Sequence, residues 1–91
     1  MKQNALTPDQ AIALERLPLD GKPNRLGLAL AISDITQTDL AGETGFTQPY
    51  ISAVMNGRYQ TITVENARKF AEFFGVSIET LFPLVRREEV A

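Results

Sequence analysis

The chain has 91 residues, 44% hydrophobic and 22% charged, with six Gly and five Pro; this composition fits one folded domain and neither disorder nor a collagen-like repeat. It contains no Cys and no His, so disulfides, thiolate nucleophiles, zinc–thiolate sites and the commonest general base are missing, and no enzyme is expected. Nine Lys/Arg against eleven Asp/Glu leave a net charge of −2, which argues against a broadly basic nucleic-acid binder but not against a binding face of its own local charge.

The longest apolar-rich stretch, residues 26–32, falls far short of the ~20 residues that span a bilayer. The first four residues, Met1-Lys2-Gln3-Asn4, lead into no secretory hydrophobic region. A soluble, cytoplasmic protein without cofactor or metal is expected.

Taken in chain order, the periodicity is helical throughout. Thr7-Pro8-Asp9-Gln10 offers a capping Thr, Pro at the first helical position and Gln where a capping box wants it, so a short helix should run to about Leu17 and stop at Pro18. Asp20-Gly21-Lys22-Pro23 then reads as a turn-rich connector. A second helix begins near Asn24 and is apolar nearly all round, which means burial on more than one side.

Thr36 caps a third helix, Gln37 to Thr44, with Asp39 in its first turn and Gly45 placed for a left-handed stop. Thr47 opens a fourth helix that closes at Asn56-Gly57. Residues 59–64 are read as loop followed by helix entry rather than as a strand. The fifth helix starts after Thr63, carries Val64, Ala67, Phe70, Ala71 and Phe74 on one stripe, and ends at Gly75. On its other face Glu65–Lys69 and Arg68–Glu72 are spaced four apart for ion pairing. Ser77 caps a last turn reaching Phe82. The remainder, residues 84–91, with Arg86, Arg87, Glu88 and Glu89, is expected to be a loosely held tail.

Residues 36–57, TQTDLAGETGFTQPYISAVMNG, carry the functional signal. Two short helices are separated only by Gly45-Phe46-Thr47, a turn too tight for antiparallel packing, so they must cross steeply. Ala41 supplies the small residue at the crossing, while Leu40, Phe46, Ile51 and Val54 point to one core. That is the recipe of a helix-turn-helix, whose second helix stands out far enough to enter a major groove. Charge placement agrees: between residues 44 and 64 there is no carboxylate, and Arg58 is the single charge.

At this point the chain resembles the Cro/phage-repressor (XRE-like) family of helix-turn-helix proteins over residues 26–82. The matching features are Thr36-Gln37, Leu40-Ala41, Gly45, Thr47-Gln48, Ile51-Ser52 and Asn56-Gly57. Further on come Phe70-Ala71, Phe74-Gly75-Val76-Ser77 and Leu81-Phe82-Pro83. The resemblance implies an all-α, lambda-repressor-like domain of about five core helices, with the first helix as an extra. The chain then divides into an N-terminal extension (1–23), the helix-turn-helix domain (24–83) and a C-terminal tail (84–91).

It further implies a DNA-binding transcriptional regulator, a repressor acting as a homodimer on a palindromic operator, with residues 47–56 as the recognition helix. Gln37 would touch phosphate and brace that helix. Thr47 would cap it and meet the DNA backbone, and Gln48 would read a base edge. Ser52 and Ala53 would lie along the groove floor, Ala53 against a thymine methyl. Asn56, Arg58 and Tyr59 would anchor the far phosphate run. For Tyr50 two roles stand side by side, a hydroxyl on phosphate or a ring packed on the domain.

Three positions depart from the family pattern. Pro49 replaces a second polar reading residue and disfavours helical geometry at its predecessor, so either Thr47 or Gln48 is the cap. Thr44 replaces an aliphatic residue beneath the turn, leaving Phe46 to fill that volume. Met55 stands where relatives often carry Glu.

A second reading keeps the fold and changes the partner. Helix-turn-helix antitoxins are often acidic and bind a basic toxin, and the pI near 5.0 and Pro49 suit such a protein-interaction module. The first helix then has two roles open to it, covering the base of the domain or meeting a dimer or toxin-like partner.

Overall fold

The computed structural model describes residues 5–58, 61–83 and 86–88. Six helices follow one another among them: α1 (Pro8–Arg16), α2 (Leu26–Ser33), α3 (Gln37–Thr44), α4 (Gln48–Met55), α5 (Val64–Phe74) and α6 (Ile78–Leu81). The fold is all-α in its core, as the periodicity predicts.

Local chemistry sets nearly every helix start. Thr7, Thr36, Thr47, Thr63 and Ser77 are extended N-cap residues whose hydroxyls each accept the amide three positions on. Thr7 with Gln10 and Thr36 with Asp39 close full capping boxes. At the other end, Gly45 and Gly75 adopt the left-handed conformation that stops α3 and α5.

α2 is the exception, with Arg25 at its cap and no capping hydrogen bond from that side chain. Its neighbour Asn24 takes over. Asn24 is buried, its Oδ1 accepts the Leu26 amide at 2.9 Å, and its Nδ2 donates to the Val54 carbonyl at 2.8 Å. One side chain therefore starts α2 and ties it to α4. Arg25 works similarly on the opposite side, donating to the Leu17 and Thr80 carbonyls near the ends of α1 and α6.

The core is a single cluster in which Phe70, Phe74, Phe82, Leu14, Leu26, Leu40, Ile51 and Leu81 are fully buried. Burying a side chain of this size contributes roughly 1.5–3 kcal/mol. Leu6 and Leu14 belong to the same cluster, so the segment before α2 seals the base of the domain. Gln10 adds a bond across to the Ile32 carbonyl at 3.2 Å.

Two strand segments correct the helical reading. Thr61–Thr63 forms β1, where loop and helix entry were expected, and it pairs in parallel with β2 (Arg86–Glu88), part of the expected loose tail. Thr61 faces Arg86 and Thr63 faces Glu88, with α5 and α6 making the crossover that a parallel pair requires. Three residues are too few for alternation to show, and the partner lies more than twenty residues away. The rest of the tail, residues 84, 85 and 89–91, lies outside the described residues.

Candidate nucleic-acid interface

The turn between α3 and α4 is closed by its own residues. The Gly45 amide donates to the Ala41 carbonyl at 2.9 Å, with Gly45 at φ +83°. Thr44 Oγ1 donates to the Leu40 carbonyl and accepts the Phe46 amide, so the hydroxyl replaces a packing contact with two hydrogen bonds. Phe46 turns its ring inward, 4.8 Å from the Phe70 ring and 5.0 Å from Tyr50.

Thr47, not Gln48, is the cap of α4, and its Oγ1 accepts the Tyr50 amide at 3.2 Å. Pro49 sits in the first turn, where backbone N–H groups have no partner within the helix, so it removes no hydrogen bond. Ile51 and Val54 are buried. Gln48, Pro49 and Asn56 are exposed and Ser52 is half-buried.

Residues four apart lie one above the other on a helix, so Gln48, Ser52 and Asn56 form an outward ridge. The Asn56 amide donates to Ser52 Oγ at 3.4 Å along that ridge. Gln37, at the start of α3, is half-buried and shares a shallow groove with Ile35 and Met55.

Two expected site residues are less exposed than Gln48 and Asn56. Ala53 retains only 8% exposure, so most of its surface is turned against the protein. Tyr50 is half-buried with its ring among Phe46 and Phe70, and its hydroxyl accepts the Asn66 amide of α5 at 3.0 Å. The ring is thus packed on the domain, as one of its two readings has it. Arg58 is exposed just past α4, its amide closing on the Ala53 carbonyl. Tyr59 lies outside the described residues.

Two residues named in the sequence reading for other reasons make contacts that it does not give. Gly57 has φ +71°, and a Cβ there would come within 2.7 Å of the Pro23 side chain, so the exit of α4 is pressed against the connector before α2. Lys69 of α5, spaced on the helix to pair with Glu65, places its ammonium 5.4 Å from the centre of the Phe46 ring. Both are long-range contacts that spacing does not reveal.

Among the described residues no group of His, Cys, Asp or Glu is arranged to hold a metal ion, and no helix is long and apolar enough to cross a membrane. A tight turn bearing a left-handed glycine, a capped second helix and an outward polar ridge define a helix-turn-helix domain. Comparison with known proteins agrees. The family model described as helix-turn-helix matches residues 32–81, more than half of the chain.

The chain belongs to this helix-turn-helix family, in its Cro/repressor (XRE) branch, and is thus of the class of DNA-binding transcriptional regulators. It is similar to an uncharacterized HTH-type transcriptional regulator of Methanocaldococcus jannaschii, 39% identical over 59 residues that cover 65% of this chain and 88% of the relative. No solved structure gives a significant match.

Proposed function

We propose that the protein is a sequence-specific transcriptional repressor that binds a palindromic operator as a homodimer and reads it with α4. The ridge of Gln48, Ser52 and Asn56 carries this reading, since it lies in a stretch of the chain that holds no carboxylate. The similarity to an archaeal HTH-type transcriptional regulator supports it.

In this reading Gln48 uses its amide as both donor and acceptor on the major-groove edge of adenine. Ser52 and Asn56 follow along the groove. Thr47 and Gln37 meet phosphate through a hydroxyl and an amide, and Arg58 meets the far strand. Ala53 and Tyr50 support the helix from behind.

Pairing of two copies follows from energy. One base contact discriminates by roughly 1–3 kcal/mol, too little for a lone helix to find an operator. A two-fold dimer doubles the contacts and sets the helices about one turn of DNA apart, ~34 Å. The few cations predict modest affinity and a shallow salt dependence.

Selection of bound duplexes from a random library, at two salt concentrations, tests the proposal. A palindromic motif should emerge, Gln48→Ala should relax preference at one position of it, and Asn56→Ala should weaken every duplex. Enrichment of no motif, together with co-purification of a stoichiometric basic protein, would favour the antitoxin-like module instead.

A further inference from the structure

We infer that Lys69, on α5 and outside the helix-turn-helix, is a DNA-phosphate anchor held in place by the Phe46 ring. The inference rests on the reading of α4 as the DNA-reading helix and adds a contact to it.

The argument begins with a shortage of charge. Between residues 44 and 64 Arg58 is the single cation, and it stands past the C-terminal end of α4. Folding supplies a second one. Lys69 is exposed, and its Nζ rests 5.4 Å from the centre of the Phe46 ring. Phe46 is bonded directly to Thr47, the cap of α4, and consecutive Cα atoms are only ~3.8 Å apart. The ammonium is therefore seated on the residue that leads into α4, whereas Arg58 stands past the other end of that helix.

The kind of contact matters as much as the position. A lysine closed on a carboxylate presents no net charge, whereas one resting on an aromatic face keeps its full charge and loses part of its freedom. Phe46 is itself held by Phe70 and Tyr50, so the perch is rigid. An eight-residue helix is ~12 Å long, about the width of the major groove. Cations at its two ends then suit the two phosphate strands that border that groove.

The test measures binding of the full chain to its selected duplex, and to an unrelated duplex, as salt is raised. Each phosphate neutralised contributes about 0.9 to the slope of log affinity against log salt. Lys69→Ala should lower that slope by about 0.9 on both duplexes, so that from 50 to 200 mM salt the unaltered protein loses roughly 3–4-fold more affinity than the variant. Lys69→Arg should restore the slope. Arg68→Ala, on the same helix, should leave it unchanged.

An unchanged slope in Lys69→Ala, in a protein whose duplex selection succeeds, overturns the anchor and leaves the DNA-reading helix standing. Equal losses from Arg68→Ala and Lys69→Ala also overturn it, since they would mean a diffuse field and not a seated contact. Failure to bind any duplex would remove both readings together.

Discussion

α3 and α4 are each eight residues long, and each starts at a threonine that accepts the amide three positions on, yet they carry different third residues. In α3 that residue is Asp39, whose carboxylate turns back to the Thr36 amide and favours the positive helix start by roughly 0.3–1 kcal/mol. In α4 it is Tyr50, whose ring joins Phe46 and Phe70. Aromatic pairs of this kind contribute ~0.5–1.5 kcal/mol each, enough to offset the missing carboxylate. The helix start proposed to face DNA thus obtains its stability from inside the protein and keeps its outer surface free of negative charge. The two ends differ as well. α3 is closed by its own Thr44, while α4 is closed from a distance by Asn24 and Pro23.

The largest expected effect tests the closing of the two helices. Gly45 and Gly57 are both left-handed, but a Cβ on Gly45 meets open space while one on Gly57 strikes Pro23. Gly45→Ala should cost the left-handed strain alone, ~1–2 kcal/mol. Gly57→Ala should cost about 2–5 kcal/mol, because overpacking adds ~1–3 kcal/mol. Urea denaturation of the two variants gives the difference, and equal losses would show that the Pro23 contact relaxes freely.

Next comes the remote tie itself. Asn24→Ala leaves the Leu26 amide without its partner in a buried place and removes the bond to Val54. An unsatisfied buried donor costs ~1–3 kcal/mol and a lost bond ~1, so about 2–4 kcal/mol should disappear from the unfolding free energy. A loss below 1 kcal/mol would mean that α4 does not depend on α2 for its end.

A third experiment gives α4 the negative charge that α3 carries. Gln48→Glu should raise thermal stability slightly, by ~0.3–1 kcal/mol, through the helix dipole. The same change should reduce operator affinity roughly 5- to 150-fold, the worth of one base contact of 1–3 kcal/mol. Opposite signs in the two readouts are the result to look for; an unchanged affinity would remove Gln48 from the interface.

Smallest are the caps. Thr36→Ala and Thr47→Ala should each destabilise by ~1 kcal/mol in a calorimetric melt, the usual loss of a capping oxygen. DNA affinity, measured by fluorescence anisotropy well below the melting range, should fall further for Thr47→Ala, since that hydroxyl also faces phosphate in the proposed complex.

Much of this contrast can be read without coordinates. Thr36, Gly45, Thr47 and Gly75 mark helix limits through bonds that reach three or four residues, so α3, α4 and α5 come out at or within a residue of their observed bounds. Pro49 misleads only partly: the rule that it disfavours a helical predecessor competes with the hydroxyl of Thr47, and the cap wins. At the site, the alignment of Gln48, Ser52 and Asn56 along one ridge follows from helical spacing. The burial of Ala53 does not, because an alanine suits either face and its neighbours belong to other elements.

The chain alone determined where helices begin and end and that one of them would be polar outside and free of carboxylates, since those properties depend on near neighbours and on composition. Only the folded arrangement decided that Lys69 rests on the Phe46 ring, that Tyr50 spends its hydroxyl on Asn66, that Asn24 and Pro23 hold the far end of α4, and that β1 finds β2. Those are meetings of residues sixteen to thirty-four positions apart, and no periodicity encodes a contact whose two halves lie on separate elements.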